Sequence, residues 1–198
     1  MDGFSEKIDS LRIKISEGDF DALDQLYRDY FSKLKLYGLQ FAQKLDSYSI
    51  DDTIQELFIT IAKKHTLLKE VKNLEVYLFS ALKQNIYQEI SRKENHKKIK
   101  NKYFQSTTSN SNEISVERKF IESEDKMNRR NYVTNLLESL PPNQKEVIYL
   151  RNYINMSYAE IAQVMNLSEQ VVRNYAYRAM TKLRAQPAPG FIQKNRNI

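Results

Sequence analysis

The first proline of this chain is Pro141. Everything before it does without a residue of fixed φ and missing N–H donor, so long helices run no risk of interruption there. Glycine is equally scarce: 198 residues hold four glycines and four prolines, against an average usage of roughly 7% and 5%. Turn-rich β architectures take these residues at their corners, so the chain is expected to be all-α.

Apolar spacing places the helices. Ile8, Leu11 and Ile15 mark a first one, stopped near Gly18. Leu23, Leu26, Tyr27, Tyr30, Phe31, Leu34, Tyr37 and Phe41 keep three-and-four spacing, a strong amphipathic signal. Ile50, Ile54, Leu57, Phe58 and Ile61 repeat it in a third helix, with Ser49 as the expected N-cap. Asn73 is placed to cap a fourth, with Leu74, Leu78, Ala81, Leu82 and Ile86 inward. Facing stripes on four helices make a bundle, expected over residues 1–99.

Beyond it, Gln105 to Ser115 is polar and aperiodic, so residues 100–124 are read as a flexible linker. Helical spacing returns weakly around Phe120–Leu140, and Pro141-Pro142 then punctuates the chain. Residues 125–186 are expected to form a second domain and 187–198 a disordered tail.

The most specific signal lies between Ser157 and Arg184. Ser157-Tyr158-Ala159-Glu160 is a capping box opening a two-turn helix to Met165. Asn166 follows, the commonest non-glycine residue at positive φ, and Ser168 caps a second helix reaching about Leu183. Two short helices joined by a tight turn are a helix-turn-helix. Ala162 is small where they would cross, and Ile161, Val164, Leu167 and Val172 are the apolar set expected to hold the crossing. Ser168, Glu169, Gln170, Arg173, Asn174, Tyr177 and Arg178 fall on the start and exposed spacing of the second helix. Such side chains reach base edges in a major groove; the plainer alternative is a helical hairpin whose arginines face water.

Charge is uneven along a chain of net charge +6. Residues 1–60 carry seven cations and twelve anions, or −5; residues 82–103 carry seven cations and two anions, or +5. The basic stretch fits a polyanion, or equally a solvated helix face. Asp52, Gln55, Glu56 and Lys63 lie opposite Ile54, Phe58 and Ile61, on a mostly acidic exposed face that suits a basic protein partner. Lys69, Lys72 and Asn73 precede the fourth helix, where a flipped-out base can be held; Lys83, Gln84, Tyr87 and Arg92 lie on that helix or its end. Tyr87 can stack on an unpaired base, although a lone tyrosine at helical spacing more often belongs to a core. Tyr77, Phe79, Phe31 and Phe41 are expected in the core.

Other chemistry is poorly supplied. Cysteine is absent, which removes disulfides, thiolate metal sites and a cysteine nucleophile. Two histidines, His65 and His96, speak against a histidine metal site, and the four glycines are too scattered for a phosphate loop. Asp51 and Asp52 are consecutive, so their carboxylates diverge by about 100° around a helix, unsuited to joint metal or acid–base work. The acidic N-terminus is unlike a signal peptide, and no run approaches the ~20 apolar residues of a membrane span. The expectation is a soluble cytoplasmic protein, without cofactor or catalytic residues.

The run LPPNQKEVIYLRNYINMSYAEIAQVMNLSEQVVRNYAYRAMTKLR (140–184) closely resembles region 4 of bacterial sigma-70-family factors. Leu140-Pro141, Leu150-Arg151, Ser157-Tyr158, Glu160-Ile161-Ala162, Ser168, Val172-Arg173, Arg178-Ala179 and Leu183-Arg184 carry the pattern; Asn166 stands where glycine is usual and Val171 where threonine is. Gly18-Asp19, Ala22, Leu26-Tyr27 and the segment Asp52 to Phe58 resemble region 2. Tyr77-Leu78 and the helix after it resemble the segment that opens and reads the −10 element, with Gln84, Gln88 and Ser91 as departures from the usual Asn, Asp and Arg. Two such regions and a linker are similar to the extracytoplasmic-function (ECF) group. The resemblance implies a transcription initiation factor that binds the clamp coiled coil and the flap of core RNA polymerase. Asp52, Gln55 and Glu56 would contact the clamp, and the bundle would read the −10 element of promoter DNA. The helix-turn-helix would read the −35 element, and an anti-sigma protein would restrain the whole. No small-molecule substrate and no membrane insertion are implied. A stand-alone helix-turn-helix regulator that dimerises through its bundle, and a helical adaptor that binds no DNA, are the alternatives.

Overall fold

A computed structural model describes residues 2–41, 44–103 and 135–186. Among them every regular element is a helix, as the scarcity of turn formers implies. The chain divides into two compact units. The first holds α1 (Asp2–Ser16), α2 (Phe20–Gly38), α3 (Ser47–Lys63) and α4 (Leu74–Tyr103), with 3-10 turns at Leu39–Phe41 and His65–Glu70. The second holds α5 (Pro142–Asn152), most of α6 (Tyr158–Met165) and α7 (Glu169–Arg184).

Local chemistry sets the helix ends. α1 stops at Gly18, whose φ is +95°. Gly18 N–H donates to the Ile15 carbonyl at 2.9 Å and Asp19 N–H to the Lys14 carbonyl at 3.1 Å. This is the paired bonding of a Schellman stop, which needs a left-handed residue at its centre. Asp19 at once caps α2, accepting from Ala22 N–H at 3.0 Å. The Asp19 cap ties the end of one helix to the start of the next with no spare residue.

The cap of α3 differs from the expectation. Asp46, not Ser49, holds that position, accepting from Ser49 N–H at 2.8 Å and Ser49 Oγ at 3.0 Å. The helix begins at Ser47, so Ser49 lies inside its first turn and supplies the N–H that needs a cap. Asn73 does cap α4, accepting from Val76 N–H at 3.0 Å.

The bundle core is the expected stripe set. Leu26, Leu34, Ile50, Ile54, Leu78, Phe79, Leu82 and Ile86 are all fully buried. Removal of each such side chain from water contributes roughly 1.5–3 kcal/mol. Ring contacts join the helices: Tyr37 meets Phe79 edge-on at 5.2 Å, and Tyr27 meets Phe58 at 5.0 Å. Phe31, Phe41 and Tyr77 are half-buried at the margin rather than central. Gly38 marks the closest approach of α2 to α3, since a Cβ there would lie 2.5 Å from Ile50 Cγ2.

In the second unit, α5 and α7 pack through Leu140, Ile148 and Ala179, flanked by Leu137 and Leu183. Pro142 occupies the first position of α5, where its missing N–H costs nothing. α4 continues to Tyr103. Most of the expected linker and all of the expected tail lie outside the described residues, as does the helical spacing expected before residue 135.

Candidate nucleic-acid and protein-binding interfaces

The capping box at Ser157 is formed in both directions. Ser157 N–H donates to Glu160 Oε2 at 2.7 Å, and Glu160 N–H donates to Ser157 Oγ at 3.2 Å. α6 ends on Asn166, with φ +53°. Leu167 N–H reaches the Ala162 carbonyl at 3.0 Å and Asn166 N–H the Gln163 carbonyl at 3.3 Å. This is the Schellman stop again, with asparagine tolerating the left-handed conformation. Ser168 Oγ then accepts from Val171 N–H at 3.4 Å and starts α7. Ile161, Ala162, Val164 and Val172 are buried as expected. Leu167 is not: it is 37% exposed.

The α7 row stands where its spacing placed it. Ser168, Gln170, Arg173, Asn174, Tyr177 and Arg178 are exposed and Glu169 is half-buried. Arg173 does not project freely. Its guanidinium pairs with the Glu169 carboxylate one turn earlier and lies over the Tyr158 ring, 4.8 Å from the centroid. The Arg151 guanidinium lies over the same ring at 5.0 Å and donates to the Met156 carbonyl at 2.8 Å. Tyr158 and Arg151 had no assigned role in the sequence reading. Their motif positions were visible there; their convergence on one ring was not. Elsewhere in this unit Tyr149 is packed against Tyr153 with centroids 5.1 Å apart. Burial, then the neighbouring phenol, raises its hydroxyl above the ordinary phenol range.

In the first unit, Asp52, Gln55, Glu56 and Lys63 share the exposed side of α3. The adjacent acids are indeed divided. Asp51 is turned inward and accepts from Lys35 Nζ of α2 at 2.6 Å, both side chains being about a quarter exposed. Asp52 is left on the surface. Beside Glu56 runs a polar groove whose walls are Thr53, Glu56 and Thr60 of α3 and Asn85, Gln88, Glu89 and Arg92 of α4.

The nucleic-acid candidates before and along α4 do not form one row. Lys69 lies in the last turn of the 3-10 segment, which ends at Glu70, and Lys72 in the bend after it, both exposed. Asn73 is engaged in capping. Lys83 is half-buried and Gln84 exposed. Tyr87 is 47% exposed, with its ring against the edge of Phe41 at 5.8 Å, so the core position favoured for it is corrected to a surface one. Arg92 is exposed but paired with Glu89 at 3.0 Å. Lys93 is bound by Asp46 at 2.9 Å. Part of the basic stretch therefore neutralises acids of its own bundle.

Among the described residues no group of three His, Asp or Glu is placed to hold a metal ion. None of their helices is long and apolar enough to cross a membrane.

The second unit is thus a helix-turn-helix of the DNA-binding class. Residues 130–183 match the family described as sigma-70, region 4. Two solved structures align with most of the chain. A structure of CnrH in complex with the cytosolic domain of CnrY aligns with TM-score 0.59 and 18% identity, covering 96% of this chain and 99% of that one. The sigma factor RpoE from Bartonella quintana, in complex with the anti-sigma factor NepR, aligns with TM-score 0.56 and 16% identity, covering 81% of this chain and 93% of that one. Over the aligned residues the chain has the all-α fold of these two proteins. No curated protein sequence matches it.

Proposed function

We propose that this protein is an ECF-type sigma factor that directs core RNA polymerase to specific promoters and starts transcription there. The observation that carries the reading is the region 4 match on a helix-turn-helix whose exposed row runs from Ser168 to Arg178. In this reading that row contacts the −35 element. Lys69, Lys72, Asn73, Lys83, Gln84, Tyr87 and Arg92 engage the −10 element, and Asp52, Gln55 and Glu56 meet the polymerase clamp. In this reading the domains expected over 1–99 and 125–186, joined by a linker that starts only after α4 ends at Tyr103, engage two DNA elements at once. The protein acts by binding and positioning in the cytoplasm, without a cofactor.

RpoE was solved with an anti-sigma factor and CnrH with the cytosolic domain of CnrY. We extend that arrangement to this chain as a protein partner that covers the Asp52–Phe58 face and the Arg173 face together. A partner gripping both units gains from effective concentration, so each half-contact can be weak.

The test is transcription by purified core polymerase, with and without this protein, on a pool of duplex templates with randomised upstream sequence. Transcripts that depend on the protein and share an upstream motif are expected. Duplex binding by the protein alone, with no effect on polymerase, would instead show a stand-alone regulator.

A further inference from the structure

The Tyr158 ring is the meeting point of two helices and two arginines. It is half-buried at the first position of α6, immediately after the Ser157 cap. The capping box fixes the backbone on which it stands. Arg151, from the last turn of α5, is fixed by its bond to the Met156 carbonyl and lies over the ring. Arg173, from the second turn of α7, lies over it too.

Arg173 is 53% exposed and its partner Glu169 43%. A surface pair of that kind contributes little and by itself leaves a long side chain to wander. A ring beneath the guanidinium changes this. The aromatic face attracts the cation while leaving the N–H edge of its planar fork open to a second partner. The fork is the part that recognises guanine or phosphate. The carboxylate of Glu169 takes part of that edge and is displaced, or shares it, when a nucleic acid arrives. The ring need not be displaced.

We propose that Tyr158 is a positioning residue for DNA recognition. Its ring presents Arg173 in a fixed orientation near the start of α7, with Arg151, held by the Met156 carbonyl, over the same ring. The proposal rests on the promoter-binding reading above. It predicts that specificity at the bases read by Arg173 depends on a tyrosine that belongs to a different helix.

The experiment selects duplexes from a pool randomised over the upstream element, using the full chain bound to core polymerase. Wild type, Tyr158→Phe, Tyr158→Leu and Arg173→Ala are compared for recovered motif and affinity. Tyr158→Leu is expected to lose base preference at the same positions as Arg173→Ala and to bind about two- to fivefold more weakly, the range of an exposed cation–π contact. Tyr158→Phe keeps the ring and is expected to keep the motif. The double variant Tyr158→Leu/Arg173→Ala is expected to be no weaker than Arg173→Ala alone. An unchanged motif in Tyr158→Leu would overturn the proposal. So would an even loss across all positions together with lower thermal stability, which marks a merely structural residue. A Tyr158→Phe variant as impaired as Tyr158→Leu would overturn the ring as the cause. Absence of any motif with the wild-type chain would instead refute the promoter-binding reading.

Discussion

Asp46 caps the start of α3 and also ties it to Lys93 of α4. It accepts from Ser49 N–H at 2.8 Å, Ser49 Oγ at 3.0 Å and Lys93 Nζ at 2.9 Å. Asp46→Ala removes the N-cap, worth about 1 kcal/mol within a range of roughly 0.5–2. It also removes an ion pair whose side chains are 37% and 52% exposed. Solvent screening limits that pair to about 0.5 kcal/mol. The expected loss is therefore about 1.5 kcal/mol, or roughly 6–12 °C for a unit of this size. Asp46→Asn separates the parts, because asparagine caps as well as aspartate but carries no charge; it should cost about 0.5 kcal/mol. The assay is urea unfolding of the whole chain followed by far-ultraviolet circular dichroism, with hydrogen exchange of α3 amides assigning the transition. The pH dependence has a definite sign. The Lys93 ammonium, and after it the Ser49 N–H, hold the Asp46 carboxyl well below the ordinary carboxylate range. A depressed folded pKa contributes stability above the unfolded value of about 3.9 and loses it as pH falls toward the folded one. The ion-pair part should accordingly be whole at pH 7 and fade only below about pH 4. An Asp46→Ala variant within about 0.3 kcal/mol of wild type, or an asparagine variant as costly as alanine, would refute this account of the cap.

Gly38→Ala should destabilise the first unit by about 1–3 kcal/mol, because the new Cβ meets Ile50 Cγ2 at 2.5 Å and the packed helix pair must shift; a neutral or stabilising result in the same unfolding assay contradicts the close approach. Asp52→Lys with Glu56→Lys should weaken capture by immobilised core polymerase while leaving the circular dichroism spectrum unchanged, since both carboxylates are exposed. Undiminished capture removes that face from the interface. Arg173→Ala should cost about 1–3 kcal/mol of promoter affinity and relax base preference if the contact is a bidentate base pairing. A loss uniform across sequences, with a shallower salt dependence, identifies a phosphate contact instead.

Much of this molecule follows from sequence because its determinants are local. Missing prolines and three-and-four apolar spacing define helices whatever they pack against, and most of the stripe that spacing selects on α2, α3 and α4 is buried, with Leu23, Tyr27, Phe31 and Ala81 only half-buried. Caps and stops are also local: Gly18, Asn73, Asn166 and Ser168 act within a few residues of themselves. The Ser49 expectation erred by three residues because two capping side chains, Asp46 and Ser49, lie within one turn. Which one caps depends on where the helix starts, and Lys93 from α4 reinforces the earlier choice. Side chains that meet across helices are a different matter. Sequence counts Lys93 as free basic charge, whereas the fold sets it on Asp46, 47 positions away. It turns Asp51 toward Lys35 and leaves Asp52 outside. It brings Arg151 and Arg173 to one tyrosine. Helical periodicity fixes which face a residue occupies; only the packing of one helix on another decides what stands opposite it, and a charged side chain takes its function from that partner.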